Sequence, residues 1–457
     1  SDSQRRAIAR LVTAFAREGR ALYLVGGAVR DLLLGQTPPD LDFATAAPPD
    51  RIREAASATG ADAIYSANER FATVALRLEA EAVEVTTFRG PASPGTPDDK
   101  GTASDLFADL ALRDFTINAM AVALDMNTLA GAIVPIIDPF GGRDDLDRRT
   151  IRGVEDPGAR LAEDPLRALR AVRFATELDA TIEGETRAAI VATAPALGGV
   201  SPERIGAELG RILLMPGVAD GLQLLERLGL LARVLPEIMP LVEFAAERSK
   251  DLWAHTRLVV ARTPARLAVR WAALLHDVAK PRTYATQGAE VHFFGHETIG
   301  ARIARKALAR LKLERELVEG VGAIVELHGR PAAYGADWTD GAVRRLMLDI
   351  GPWLGDLLDL ARADVTSGRP QVQRAARERI DRLAAHCERL AAERELAKLQ
   401  SPLDGTQLMA LFDRPPGKWI KPLKDHLRDL VIDGILAPED EAGATDEAKR
   451  WMAENGG

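Results

Sequence analysis

The segment Leu24-Val-Gly-Gly-Ala-Val-Arg-Asp31, followed by Asp40-Leu-Asp42, constrains this chain most. Apolar Ala21 to Val25 reads as a short buried strand, Gly26-Gly27 as a turn, and Ala28 to Leu34 as a helix start. Glycines let the backbone approach an anion closely, and a helix N-terminus favours negative charge. Asp40 and Asp42 flank Leu41, and alternate residues of a strand point to one face, so both carboxylates can serve one Mg²⁺ pair. Two metals that clamp the attacking and leaving oxygens suit nucleotidyl transfer. Taken singly, the glycines could mark only a tight bend and the aspartates a solvated strand end. Their order and close spacing favour a phosphate site.

With 457 residues, the chain is long enough for about three domains. Its net charge of -8 does not announce nucleic-acid binding, so any RNA contact must use a local basic patch. A single cysteine, Cys387, excludes an internal disulfide and fits a reducing compartment. With no signal peptide and no long apolar span, the reading is a cytoplasmic protein without a membrane partner. Nothing in the sequence sets the oligomeric state.

Residues 1 to about 145 mix strand and helix signals. Ala72 to Leu78 and Ala82 to Phe88 alternate and are β-branched, which predicts paired strands. Pro91 to Gly101 is rich in Pro, Gly and Asp and reads as a mobile loop. Beyond about 150 the strand signal fades. Helical periodicity runs over Leu161–Leu178, Pro202–Leu214, Gly221–Val234, Leu267–Asp277, His296–Leu311 and Arg344–Ala363. Residues 371–399 read as a charged, solvated surface helix.

Two further strings bear on chemistry. Leu112-Arg-Asp-Phe-Thr-Ile-Asn-Ala119 follows the loop, and Glu163-Asp-Pro-Leu-Arg-Ala-Leu-Arg-Ala-Val-Arg-Phe174 carries a basic stripe. On a helix Asp164 and Arg167 would share a face, where acceptors and a planar donor fork can read the edge of a base. The plainer reading is an i,i+3 surface salt bridge.

The GGxVRD and DxD pattern, with these strings, resembles the class II tRNA nucleotidyltransferase and bacterial poly(A) polymerase family. The resemblance runs through most of the chain. It implies that Gly26, Gly27 and Arg30 meet a triphosphate, Arg30 neutralising its charge. Asp31 reads instead as an acid answering the helix dipole. Glu84, in Val-Glu-Val-Thr-Thr-Phe-Arg89, falls at the family's third acidic position and joins Asp40 and Asp42 as catalytic carboxylates holding Mg²⁺. Arg113 and Asp114 fall near the ribose and triphosphate, with Asn118 supporting them. Asp164 and Arg167 select CTP and then ATP, and Arg170 and Arg173 extend the nucleotide site. Asp138-Pro-Phe-Gly-Gly142 resembles a hinge motif, though a plain Pro-Gly connector accounts for it nearly as well. Two departures remove positive charge near the nucleotide: Leu112 replaces the usual arginine, and Gly95 to Lys100 lacks the usual basic element.

Five of the seven histidines lie between His255 and His328. His255, the His276-Asp277 doublet and Asp364 follow the H…HD…D order of HD-domain metal hydrolases. Such ligands suit a divalent transition metal. His296 and His328 can extend the site to two metals. The alternative is a degenerate HD fold whose histidines only pack the core.

The sequence therefore predicts an α+β chain. A small mixed-sheet nucleotidyltransferase head (1–145) precedes an all-helical neck carrying the base-recognition helix (146–235), an HD-type body (236–385) and a helical tail (386–457). The implied activity is template-independent CCA addition to the tRNA acceptor end from CTP and ATP. The rivals are a CC-only or A-only enzyme, a poly(A) polymerase, and a protein that is chiefly an HD phosphohydrolase. The region from Arg70 to Ala80 lacks the basic, Phe-rich stretch of the poly(A) polymerases. A pure RNA-binding module leaves the acidic cluster unexplained.

Overall fold

The computed structural model describes residues 1–68, 72–92, 100–102, 105–129, 135–245, 251–287, 290–393 and 400–455. The chain forms two compact units, Ser1–Pro236 and Glu237–Gly457.

The first unit is built on a mixed sheet. Its strands are β1 (Leu22–Val25), β2 (Leu41–Thr45), β3 (Ala63–Asn68), β4 (Thr73–Leu78) and β5 (Glu81–Thr87). A separate short hairpin follows, β6 (Arg89–Ala92) with β7 (Lys100–Thr102), and the sheet is completed by β8 (Ala121–Leu124) and β9 (Ile136–Ile137). Strand order is β3-β4-β5-β2-β1-β8-β9. Only β2 and β5 pair in parallel; the other neighbours run antiparallel. Leu41, Phe43, Val74, Leu76, Val83 and Val85 are buried on the face that packs against the helices Asp2–Arg17 and Pro49–Ala58. Period-two alternation then sends Asp42 and Glu84 to the opposite face.

The strands predicted at 72–78 and 82–88 do pair. The expected mobile loop differs at its ends, where β6 and β7 form a ladder; residues 93–99 lie outside the described residues. So do Arg70 and Phe71. The expected hinge is a braced turn: both carboxylate oxygens of Asp138 accept backbone N–H bonds, from Gly142 and Arg143.

Helices dominate after residue 150, but the neck is not wholly helical. Thr150–Ile151 pairs in parallel with Thr181–Ile182. In the second unit, Tyr284–Gln287 and Glu290–Phe293 form an antiparallel hairpin. The predicted run Leu161–Leu178 is two helices, Pro157–Glu163 and Arg167–Glu177, because Pro165 cannot continue the first. Gly351-Pro352 likewise divides the predicted 344–363 run into Asp340–Ile350 and Leu354–Asp364. The helix Pro370–Glu393 is not merely a solvated surface helix. Ile380, Leu383, Cys387 and Leu390 are buried along one face, at helical spacing. Among the described residues, no helix is long and apolar enough to cross a membrane.

Candidate active site and candidate metal centre

A cleft of about 850 Å³ opens in the first unit. Gly26, Gly27, Asp40, Asp42, Asp114, Asn118 and Asp164 line it, together with Arg30, Arg89, Arg113, Arg167, Arg170, Arg173, Arg204 and Arg211. The acidic chain thus concentrates arginines at one place, as its composition required of any anion site.

Asp42 on β2 stands directly opposite Glu84 on β5 in the parallel register, and Asp40 immediately precedes β2. Burial raises the Asp42 carboxyl above the ordinary range, opposed by Arg113 and reinforced by Asp40. Burial and then the charges of Asp42 and Asp40 raise Glu84. Carboxylates that resist ionisation together are stabilised by a divalent cation, so the trio fits Mg²⁺.

Gly26 has φ 73°, and a Cβ there would lie 2.6 Å from Arg113 Nη1. Glycine therefore serves both the turn and the approach of this guanidinium. The helix it opens, Gly27–Leu33, buries Arg30, which donates to Asp31 Oδ1 at 2.9 and 2.7 Å and to Asn118 Oδ1 at 2.8 Å. Asp31 is thus the partner of Arg30, not a first-turn acid of that helix. Asn118 Nδ2 donates to Asp114 Oδ1 at 3.1 Å, and Arg170 Nε donates to Asp114 Oδ2 at 2.8 Å. One continuous relay links the glycine turn to the helix Arg167–Glu177. Burial disfavours the Asp114 charge, but Arg170 and Asn118 outweigh it and hold the carboxyl well below its ordinary range. Arg113 pairs with Asp109 at 3.2 Å, and Arg89 reaches the same carboxylate at 2.9 Å.

Asp164 and Arg167 both line the cleft but do not share a helical face. Asp164 has φ -148° and ψ 96°, extended backbone ahead of Pro165. It accepts from Arg204 Nη2 at 2.7 Å and from the Leu166 N–H at 3.2 Å. Arg167 donates to the Arg160 and Leu112 carbonyls, each at 2.9 Å, and to Glu163 at 3.2 Å. Neither the shared helix face nor the i,i+3 salt bridge between them forms. Leu112 contributes through its carbonyl, which any residue at that position would supply. Arg173 pairs with buried Glu208 at 2.9 Å.

Sequence reasoning missed Arg89, Asp109, Arg204 and Glu208. Asp109 and Arg113 carry an i,i+4 signal, as do Arg204 and Glu208 on Pro202–Leu214. Their partners are remote in sequence, and no local pattern announces them.

The second unit gathers the predicted histidines at helix ends. His255 lies within Leu252–Arg262, His276 and His328 cap the C-termini of Leu267–Leu275 and Arg315–Leu327, His296 opens His296–Arg310, and Asp364 closes Leu354–Asp364. Asp277 sits between two groups. Its Oδ2 is 3.2 Å from His276 Nε2 and 3.6 Å from His255 Nε2; its Oδ1 is 3.7 Å from His296 Nε2 and 3.9 Å from His328 Nε2. Asp364 Oδ1 lies 3.0 Å from His255 Nε2. Three imidazoles donate Nδ1–H to carbonyls: His276 to Ala273 at 2.8 Å, His296 to Phe293 at 2.8 Å and His328 to Val325 at 2.7 Å. His255 Nδ1 meets the Thr366 hydroxyl at 3.1 Å. All four Nε2 atoms therefore turn to the carboxylates, as metal-ligating histidines do.

Buried His276 Nε2 and both Asp277 carboxylate oxygens have no hydrogen-bond partner. Lys280 Nζ is 2.7 Å from Asp277 Oδ2, an ion pair outside hydrogen-bond geometry. Burial and the neighbouring His276 charge press His328 down to about 4, so it is a neutral donor at pH 7. These orphaned atoms and converging donors fit divalent cations, on either side of Asp277.

The comparisons with known proteins divide the chain as follows. Residues 22–152 match the poly A polymerase head domain, 179–241 match the "Probable RNA and SrmB- binding site of polymerase A", and 243–367 match the HD domain. The A-adding tRNA nucleotidyltransferase of Deinococcus radiodurans is 34% identical over 95% of this chain and 96% of its own length. The CC-adding tRNA nucleotidyltransferase of Thermus thermophilus is 32% identical over 92% of each. The crystal structure of the Bacillus stearothermophilus CCA-adding enzyme in complex with CTP aligns over 100% of both chains, with a TM-score of 0.69 and 27% identity.

Proposed function

The chain belongs to the tRNA nucleotidyltransferase family, and from that premise we propose that it adds C, C and A to tRNA 3′ ends in the cytoplasm, without a nucleic-acid template. The carrying observation is the arginine-lined cleft that includes Asp40 and Asp42, with Glu84 opposite Asp42 in the sheet register. Three carboxylates alone would repel a nucleotide, and the arginines alone would merely bind one. Together they suit phosphoryl transfer.

In this reading the tRNA 3′-hydroxyl forms a bond to the α-phosphorus of CTP or ATP as the bond to pyrophosphate breaks. Asp40, Asp42 and Glu84 would hold Mg²⁺, which when bound would lower the hydroxyl's pKa and neutralise charge on the phosphates. Gly26 and Gly27 bring backbone to the triphosphate, while Arg30, Arg113 and Arg170 supply positive charge around it. Asp114 and Asn118 fix those guanidiniums and face the ribose. Asp164 and Arg167 present an acceptor and a donor fork to the base, as an amino-acid template in place of a nucleic-acid one. The proposed division is head 1–145, neck 146–235, body 236–385 and tail 386–457.

Two alternatives have an observation behind them. A-only addition is favoured by the 34% identity to an A-adding relative and by the Gly95–Lys100 segment, which lacks the usual basic element. A second, metal-dependent phosphohydrolase activity is favoured by the Asp277 carboxylate, which accepts no hydrogen bond and lies among four imidazoles. His255, His276, Asp277 and Asp364 would hold one divalent transition metal, and His296 and His328 with Asp277 a second. Such ions supply an activated water nucleophile.

Transcripts of one tRNA ending before CCA, after C and after CC, incubated with labelled CTP and ATP, test the main reading. Full CCA on all three is expected. Extension of only the CC-ended transcript would establish A-only addition, and labelling of none would end the nucleotidyl reading.

A further inference from the structure

Phe174 ends the basic stripe on the helix Arg167–Glu177, and its side chain is only 3% exposed at the floor of the cleft. Three guanidinium carbons stand over its ring. Arg173 is 4.1 Å from the centroid, Arg30 5.0 Å and Arg170 5.3 Å. Phe115 packs against the same ring edge-on, at 5.9 Å and 79°. The ring therefore ties together the helix after the glycine turn, the segment around Asp114 and the base-facing helix.

Three cations gathered this closely repel one another. Each has its own carboxylate: Asp31 for Arg30, Asp114 for Arg170, and Glu208 for Arg173. Those pairs neutralise charge; the Asn118–Asp114 relay joins Arg30 to Arg170 but leaves Arg173 on a separate anchor, Glu208. The negative face of an aromatic ring is the common element that attracts all three. An aliphatic side chain of similar volume would fill the space without that attraction.

We propose that Phe174 is a positioning residue for nucleotide binding, its ring holding Arg30, Arg170 and Arg173 at the spacing in which they receive a nucleoside triphosphate. This rests on the reading of the cleft as the nucleotide site. The chemistry recognised is the triphosphate, not the base, so CTP and ATP are affected alike. The ring touches no reacting atom, so its loss weakens binding and leaves the chemical step alone.

The test uses the full chain and a tRNA transcript that the parent protein extends. Phe174→Leu is expected to raise KM for each accepted nucleotide about ten-fold, with kcat within about two-fold. Phe174→Tyr, which keeps the ring, is expected to stay near the parent. Replacement of Phe174 by pentafluorophenylalanine keeps the shape but reverses the charge on the ring face. It is expected to reproduce the leucine defect, and it decides the matter if Phe174→Leu does not fold. A pentafluorophenylalanine protein with parental KM would show that the ring only packs and would overturn the proposal. So would a rise in KM confined to one base. A parent that extends no transcript would overturn the functional reading, and this proposal with it, a result distinct from either of those.

Discussion

The two candidate centres of this chain are built from opposite materials. In the first unit, Asp40 is open to water and Asp42 and Glu84 are only partly withdrawn from it, with only carboxylate oxygen offered to a cation. In the second, His276 and Asp277 are fully buried, and imidazole nitrogen outnumbers carboxylate oxygen. The difference concerns residence. An open, all-oxygen site suits Mg²⁺, which keeps waters and is completed by substrate phosphates. A largely buried site of imidazoles, each oriented through Nδ1, suits a softer ion that stays with the protein. On the proposed reading, the first centre would recruit its cation with the substrate and the second would carry its own.

That contrast is most easily broken by crossing the variants. Asp42→Ala is expected to lower nucleotide addition about a thousand-fold or more while leaving bound transition metal unchanged. His276→Ala with Asp277→Ala is expected to abolish bound transition metal, measured by elemental analysis after desalting. Addition should stay within about two-fold, since the centres lie in different compact units. Lost addition in a folded double variant would show that the centres are coupled. A parent that holds no transition metal after desalting would favour histidines that only pack the core.

Both centres were legible in the sequence for the same reason: rare side-chain types fell in an order that simple periodicity could place. Two-residue alternation pairs Asp40 with Asp42 in the sequence, and the family resemblance supplies Glu84; the ladder sets Glu84 opposite Asp42, while Asp40 lies just ahead of its strand. The His and Asp positions needed only helices, whose ends bring them together. The misreadings share a cause as well. At Asp164 a long helical period was allowed to override Pro165, although proline makes its predecessor extended. In Pro370–Glu393 the density of charge obscured Ile380, Leu383, Cys387 and Leu390, which recur at three and four residues. The partners Arg204 with Asp164 and Glu208 with Arg173 are non-local, and only the folded chain joins them.

Asp109 sharpens the comparison from within the first unit, because it is an acid satisfied by arginines and needing no metal. Its side chain is buried, which disfavours the charge, but Arg89 and Arg113 outweigh burial and hold the carboxyl down to about 2. A depressed carboxylate stabilises the fold above its unfolded pKa and ceases to do so as pH falls through its folded one. Asp109→Asn is therefore expected to cost about 2 kcal/mol at neutral pH. The deficit should be constant above about pH 5 and shrink between the ordinary value of 3.8 and about 2. All six tryptophans lie in the second unit, so hydrogen exchange in β5 and the helix Leu106–Ala111 is the measurement that reads this one. A deficit that does not change on acidification would mean that the asparagine acts through packing, not charge.

The last expected effect concerns selectivity, which the open centre must obtain from side chains held in place instead of from burial. Asp164 keeps one carboxylate oxygen on the Leu166 N–H and the other on Arg204. The first bond fixes the backbone, and on the proposed reading the second would set how the carboxylate meets a base. Removing the acceptor costs a charge-assisted hydrogen bond, roughly 1.5–3 kcal/mol. Asp164→Ala should therefore reduce discrimination against UTP and GTP about ten-fold or more. Arg204→Ala leaves the acceptor but frees it, so a smaller loss is expected, about three-fold, with partial recovery in Arg204→Lys. Competition between labelled nucleotides on one tRNA transcript measures both. Equal losses in the two arginine variants would show that the guanidinium geometry, not the charge, positions Asp164. Unchanged selectivity in Asp164→Ala would remove this residue from base recognition and leave Arg167 as the reader.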